Sequence, residues 1–450
     1  MRHDNHLLLL HLSDIHFREP ICLNPDTDHD HPVRRALVND IRKMVSKLGR
    51  VDAIVISGDI AFKSHEDEYH SASLWLDEVC AVAECPKYKI YTVPGNHDVD
   101  REIVKIQSVQ DARQQLDISE NIAVCDEKFY KILSDIDVGS ELFKPLEQYN
   151  KFAAQFCCDI SPDHPNWIEK LELSPEYTLK IHGLTTPLFS GPDNNDKSRL
   201  YLGPHQRAFS PDDGIVRLAV LHHPPDWFSD QDELDDALWN SCQIHLIGHK
   251  HKQRFMPNMK GLRLSAGAVN PSRAEGNWEP GYNFIELGVE KKENHNYLLI
   301  NSHIRIWQNS PDRFIAKRTE EDEDVFFHKI RLNQPPANDK RSGSTKEPLQ
   351  NDYQGESDSS DIDAVPDEDR KTSIMKEKSE QINLAERDLV VKFYELSPRQ
   401  RRITMQKLDL IHPQDDQLPE PHRYRLAFER AYELGLIDKL REIVYKNLAK

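Results

Sequence analysis

Short β-branched or leucine-rich runs recur along the first two thirds of the chain, each closed by a strong turn signal: Leu7–Leu12, Ala53–Ser57, Lys89–Val93, Thr178–His182, Arg217–Leu221 and Gln243–Ile247. Their unbroken apolar character predicts buried strands. Between several of them, Val33–Leu48 and Tyr69–Val82 carry a helical period, so the alternation predicts an α/β sheet with helices on its faces. Runs at Leu262–Ala268, Tyr282–Val289 and Tyr297–Trp307 come without helices and predict antiparallel pairing or a second sheet.

Other stretches break this rhythm. From Asp100 to about Glu176 the pattern is mostly helical and polar, with Glu141–Phe156 the clearest amphipathic segment, which predicts a helical insertion or cap over 101–176. Residues 334–380 hold Pro335, Pro336, a Ser/Gly/Lys patch and acidic Asp358–Asp369 with few large apolar side chains, the composition of a disordered linker. Helical periodicity returns over 381–450. There Ser397-Pro398 reads as an N-cap followed by proline at the first helical position, and Gly435 separates two apolar-faced segments. The expected domains are therefore a catalytic unit over 1–333, the linker over 334–380 and a small helical module over 381–450. The apolar spacing of Leu426, Phe428, Ala431, Leu434, Leu436, Leu440, Ile443 and Val444 suits bundle core or a partner-facing adaptor surface.

Composition narrows the function classes. The formal charge is −18, and about −15 of it falls on the first 333 residues, so no general attraction to nucleic acid or acidic membrane is expected. Four leucines after a polar start are too few for a signal-peptide core or a membrane span, which predicts a cytoplasmic protein. Seven cysteines (Cys22, Cys80, Cys85, Cys125, Cys157, Cys158, Cys242) lack zinc-type spacing and read as reduced thiols.

Five short motifs carry the chemistry, each after a predicted strand. Asp14-Ile15-His16 puts a carboxylate and an imidazole on alternate residues, which would point the same way if the chain stays extended. In Ser57-Gly58-Asp59 the glycine permits close approach, and Asp59 could bridge two cations with its two oxygens. Gly95-Asn96-His97-Asp98 sets an amide ligand beside an imidazole and a carboxylate. Here Asn96 can bind metal through its carbonyl, His97 can face substrate, and Asp98 would orient the His97 ring. His222-His223-Pro224-Pro225 and Gly248-His249-Lys250-His251 add further nitrogen ligands. Singly, each has a structural reading as a helix cap, a packed histidine or a turn. Together, at the carboxyl ends of strands where open α/β sheets place ligands, they predict one metal site.

In this order the motifs resemble the signature of the calcineurin-like metallophosphoesterase superfamily over roughly Leu7 to Trp307. The resemblance implies a four-layer α-β-β-α sandwich and two divalent metal ions, with manganese, iron, zinc and magnesium the usual ones. It implies that Asp14, His16 and His251 hold one metal, that Asn96, His222 and His249 hold the other, and that Asp59 bridges them. His222 is preferred to His223 because it stands two places before Pro224, as the family's ligand commonly does; His223 remains a substitute. His97 falls where the family keeps an acid or phosphate-contacting histidine.

Two such cations, about 3.5–4 Å apart, activate a bridging hydroxide for in-line attack on phosphorus. The motif variants suit the phosphodiesterase and nuclease-type branch, with a nucleotide or single-stranded nucleic acid as substrate. The residues after Asp59, Ile60-Ala61-Phe62-Lys63, lack the arginine of the superfamily's protein phosphatases, which lowers phosphoprotein substrates. The tail resembles small helical effector-associated domains that tether bacterial conflict-system enzymes, which implies a protein partner through 381–450 and, as an alternative function, a recruited nuclease effector.

Overall fold

The computed structural model describes residues 6–118, 121–192, 196–210, 212–273, 278–333 and 384–449, with the side chains of 384–385 excepted. The linker expected over 334–380 lies outside the described residues.

Two sheets form the body. The first contains β1 (His6–Leu12), β2 (Ala53–Ile56), β3 (Ile90–Thr92), β10 (Gly281–Lys292), β11 (His295–Asn309), β12 (Asp312–Ala316) and β13 (Phe326–Leu332). Its order is β12-β11-β10-β1-β2-β3, and the long β11 pairs with β13 over its first half. The second sheet contains β4 (Trp167–Ser174), β5 (Tyr177–Gly183), β6 (Ile215–Leu221), β7 (Ile244–Ile247), β8 (Arg254–Pro257) and β9 (Leu262–Ser265), in the order β4-β5-β6-β7-β9-β8. β4 lies against β1 and β10, so the sheets face each other. The mixed α/β architecture is the metallophosphoesterase sandwich that the resemblance implied.

β1 is central in its sheet, parallel to β2 and antiparallel to β10, and Leu8, Leu9, Leu10 and Leu12 are fully buried. That placement explains the leucine run, since each such side chain stabilises by roughly 1.5–3 kcal/mol on burial. Helices α1 (His31–Leu48) and α2 (Glu66–Ala83) follow β1 and β2 and pack on each other. α2 begins at a capping box in which His65 caps and Glu68 reaches back. Glu68 is buried, and its Oε2 also accepts from the N–H groups of Phe62 and Lys63, which sets the loop after β2.

Two expectations need correction. The stretch Asp100–Glu176 is helical only as far as residue 156 and then supplies β4, whose burial alternates from residue to residue as its sequence W-I-E-K-L-E-L-S does. Glu141–Phe156 is not one helix: Lys144–Leu146 forms a tighter turn around Pro145. The late strands divide between the two alternatives expected of them: β10 and β11 pair antiparallel, within the first sheet, and β9 joins the second, parallel to β7.

The tail helices Leu384–Tyr394, Pro398–Gln406, Glu420–Glu433 and Ile437–Leu448 enclose their own core, built on Leu389, Phe393, Met405, Tyr424, Leu440 and Val444. Ser397 and Gln400 form the expected capping box, and Gly435 takes a left-handed φ of 67° between the last two helices. Leu434, placed on the apolar spacing in the sequence, is 63 % exposed.

This module is seated on the body. The Arg387 guanidinium is fully buried, ion-paired to Glu169 on β4, and donates to the carbonyls of Tyr88 (2.8 Å), Ile90 (3.0 Å) and Phe156. It also lies 4.6 Å over the Tyr91 ring. Arg425 pairs with Asp159 at 2.8 Å. All seven cysteines are free thiols, and no described helix is long and apolar enough to cross a membrane.

Candidate metal centre

The loops leaving β1, β2, β3, β6 and β7 converge at the carboxyl ends of these strands. The chain does not stay extended there. Asp14 (φ 52°), His16 (52°), Asp59 (55°), His249 (69°) and His251 (50°) all adopt left-handed backbone, which the alternating-residue argument for Asp14 and His16 did not foresee. Such residues cost of order 1–3 kcal/mol each and cluster at functional sites. Hydrogen bonds hold them: the N–H groups of Ile15 and His16 both donate to the Asp59 carbonyl, and that of Asp14 donates to the Gly58 carbonyl. Gly58 itself has φ 94°, and a Cβ there would meet His222 Nδ1 at 2.6 Å. A Cβ on Gly95 would lie 2.1 Å from Asp59 Oδ1, so only glycine admits the β2 and β3 loops side by side.

Two groups of donor atoms face each other. In the first, His251 Nε2 lies 3.2 Å from Asp14 Oδ1 and 3.5 Å from His16 Nε2. In the second, Asn96 Oδ1 lies 3.1 Å from His222 Nε2 and 3.0 Å from His249 Nδ1, and the two nitrogens are 3.2 Å apart. Asp59 Oδ2 stands between them, 3.7 Å from His16 Nε2 and 3.3 Å from His222 Nε2. Its Oδ1 accepts the His97 N–H at 2.8 Å, so one oxygen, not two, looks toward both groups.

The remaining atoms of these side chains are anchored so that acceptors point inward. Ser13 Oγ donates to Asp14 Oδ2 at 2.5 Å, and the His249 N–H reaches the same oxygen at 3.2 Å. Asp14 Oδ1 is left buried without a hydrogen-bond partner. His222 Nδ1 donates to the Ser57 carbonyl at 2.8 Å, which leaves Nε2 as the lone-pair nitrogen of the neutral ring. Lone pairs thus meet lone pairs, an arrangement that cations reconcile.

The electrostatics agree. Burial favours neutral Asp14 and Asp59, yet the surrounding imidazoles, His251 for Asp14 and His222 for Asp59, hold both carboxyls well below the usual range. Burial also opposes charge on His222, but Asp59 and Asp14 lift it to about 9, whereas burial depresses His16 and His249 to about 3. The centre is strongly electron-rich, and the mixed N/O donor set fits divalent cations. Groups able to hold an ion include Asp14–His16–His251 and Asp14–Asp59–His222.

His223 lies beside this cage. Its Nδ1 meets Thr186 Oγ1 at 3.0 Å, its Nε2 is buried without a hydrogen-bond partner, and its ring packs 4.5 Å from that of His249. The atom that meets Asp59 and Asn96 belongs to His222. His97 stands at the rim with Nδ1 on the Phe62 carbonyl at 2.8 Å and its ring stacked on Phe62.

Asp98 does not orient His97. Its carboxylate is fully buried and accepts from the N–H groups of Gly95 (2.9 Å), Ala61 (3.0 Å) and Ile60 (3.3 Å) and from the Tyr69 hydroxyl (3.0 Å). Burial, then the Asp59 charge, pushes its pKa up to about 7. Because all four partners are donors, the ionised form is the one they satisfy. Its work is to fasten the β3 loop to the β2 loop, while the Phe62 carbonyl performs the orienting. Sequence reasoning also passed over Ser57, which sits inside a quoted motif, and Ser13, which directly precedes one, and gave no role to Phe62.

The chain belongs to the calcineurin-like phosphoesterase family, whose model matches residues 7–253. Residues 385–446 match the GTPase-associated adaptor domain. No curated protein matches. Among solved structures, a Vps29 variant from Entamoeba histolytica is 10% identical, with 73% of this chain and 100% of that chain covered and a TM-score of 0.28. A predicted phosphoesterase from Streptococcus pneumoniae is 12% identical, covering 72% and 98%, with a TM-score of 0.28. A putative 5′-nucleotidase from Staphylococcus aureus is 12% identical, covering 70% and 56%, with a TM-score of 0.34.

Proposed function

We propose that this protein is a metal-dependent phosphodiesterase that hydrolyses nucleotide or nucleic-acid phosphodiester bonds. The observation that carries the reading is Asp59 Oδ2, placed between two sets of inward-facing donors. Asp14, His16 and His251 would hold one cation, Asn96, His222 and His249 a second, and Asp59 would touch both; manganese suits this N/O set. Bound there, divalent cations supply Lewis-acid activation of water and neutralise charge on the phosphoryl group.

The chain's own residues do the rest. The Phe62 carbonyl accepts a hydrogen bond from His97 Nδ1–H, so Nε2 of that ring is the atom available to contact a phosphoryl oxygen or to exchange a proton with the leaving oxygen. Stacking on Phe62 fixes the ring's plane. Hydrolysis of bis(p-nitrophenyl) phosphate with Mn²⁺, absent in Asp59→Ala, tests the reading; no turnover with any divalent ion overturns it.

The adaptor match over 385–446 favours a second, compatible reading, in which a protein partner, a GTPase by the family's description, recruits the enzyme as a nuclease effector in the cytoplasm. Exposed Tyr432 and Leu434 mark the solvent side of the module. Leu434→Asp in the full chain should then release a co-purifying GTPase while phosphodiester hydrolysis persists, and co-purification that survives this change counts against that face.

A further inference from the structure

Arg18 follows the D-x-H loop by two residues, and its guanidinium carbon lies 3.7 Å over the centre of the Phe62 ring. His97 stacks on the same ring with centroids 4.7 Å apart and planes 19° from parallel. One face of a phenyl ring cannot hold both groups at these distances without a clash, so Phe62 is sandwiched, with His97 on one side and Arg18 on the other. The edge contact between His16 and Phe62, at 5.8 Å, places the sandwich at the Asp14–His16–His251 end of the cage.

Both layers hang on one buried carboxylate. Glu68 Oε2 accepts from the Phe62 N–H at 3.1 Å, and Glu68 Oε1 accepts from the Glu19 N–H, next to Arg18, at 3.0 Å. Three other cations of the chain are already engaged: Lys250 by Asp226 at 2.7 and 2.8 Å, Arg34 by Asp28, and Arg273 by the His29 carbonyl and the Trp278 ring. Among the described residues no carboxylate pairs with Arg18, and its Nε is buried without a hydrogen-bond partner.

We propose that Arg18 binds a second phosphate of the substrate, one nucleotide step from the bond being hydrolysed, and so selects a phosphorylated dinucleotide or a nucleic-acid strand over an isolated phosphodiester. This rests on the phosphodiesterase reading. A guanidinium held against a ring is partly desolvated and oriented in advance, and its outer N–H groups match two phosphate oxygens at once. The Phe62 ring separates it from the phosphoryl group that His97 faces, so it serves a different phosphate.

The test uses the Mn²⁺-loaded full chain. Calorimetric titration should show thymidine 3′,5′-bisphosphate binding roughly ten- to a hundredfold tighter than thymidine 5′-monophosphate, the scale of one charge-assisted contact. In Arg18→Ala and in Arg18→Gln that ratio should fall to about one, and the kcat/KM ratio of pTpT to TpT should collapse with it. Equal affinities in the wild type, or a preference that survives in both variants, overturn the proposal. So does loss of pTpT and TpT turnover by the same factor, which would make Arg18 a mere buttress of Phe62. If the wild type hydrolyses no phosphodiester but shows an Arg18-dependent bisphosphate preference, the phosphodiesterase reading fails and the Arg18 site stands.

Discussion

His222 Nε2 lies 3.1 Å from Asn96 Oδ1 while the opposite ring nitrogen donates to the Ser57 carbonyl, so a nitrogen lone pair and an amide oxygen meet with no proton between them in the neutral ring. With its pKa lifted, against the effect of burial, to about 9 by Asp59 and Asp14, His222 holds a proton at this contact when metal is absent, and a divalent cation that displaces the proton gains both acceptors as ligands. Mn²⁺ should therefore raise Tm, by the equivalent of about 2.7 kcal/mol at a hundredfold excess over Kd, and chelation should lower it. Asp59→Asn should abolish most of the gain. Differential scanning calorimetry with and without EDTA measures it, and a Tm indifferent to divalent ions contradicts the cage.

The two residues that follow Asn96 should separate cleanly on mutation. His97→Ala removes a rim imidazole and should cut kcat on bis(p-nitrophenyl) phosphate by roughly 10²-fold with metal content retained. Asp98→Ala strips the acceptor from four buried donors and should lower stability by several times the ~1–3 kcal/mol of one unsatisfied group, with metal content and activity falling together. Metal analysis beside kinetics reads both; parallel metal loss in the two variants would collapse the distinction.

Removing one side of the Arg387–Glu169 pair leaves a charge buried without its partner, so Arg387→Ala should destabilise by about 3–5 kcal/mol. The effect should be local in hydrogen exchange: amides of Leu384–Tyr394 and of the Tyr88–Thr92 segment should lose protection together. Loss confined to the tail helices would show that the seat contributes nothing to the body.

His245 supplies a pH test away from the cage. It is fully buried, its Nε2 meets the Leu238 and Cys242 carbonyls, and Arg263 Nε donates to its Nδ1, so the neutral ring is built in. Burial depresses its pKa to about 3, with the Arg263 charge adding to the effect. Below the ordinary histidine value the unfolded chain takes up a proton that the folded chain refuses, and stability falls as pH drops from about 6.5 toward 3, by at most ~1.4 kcal/mol per pH unit from this residue. His245→Gln should flatten that part of the acid slope in urea titrations at several pH values. An unchanged slope would mean that other groups set it.

Much of this arrangement was legible in the sequence because it is driven by burial. β1, β2, β3, β5, β6 and β7 are covered on both faces, which demands apolar runs, and the ligand types follow from what cations accept. β4 escaped because only one of its faces is buried, so charged Lys170 and Glu172 alternate with its core residues and a third charge, Glu169, stands on the buried face itself, and exposed β8 carried no apolar signal. The left-handed turns at Asp14, His16, Asp59, His249 and His251 depend on hydrogen bonds between separate loops, which spacing cannot report. Asp98 was misread for the same reason: its four donors come from Ile60, Ala61, Tyr69 and Gly95, three of them more than 25 positions away. An arginine on a helix reads as a surface residue, and nothing in the tail's periodicity distinguishes Arg387 from Arg399.

Arg387 also changes what a boundary near residue 333 means. The carbonyls of Tyr88 and Ile90 lie at the entry to β3, the strand whose following loop carries Asn96 and His97, and their donor arrives from almost 300 positions downstream. Trimming the chain to its family-matched catalytic segment would remove that donor and leave Glu169 without its counter-charge. The tail is thus a keystone of the phosphoesterase fold, and any partner that gripped it would hold the segment that opens β3 as well.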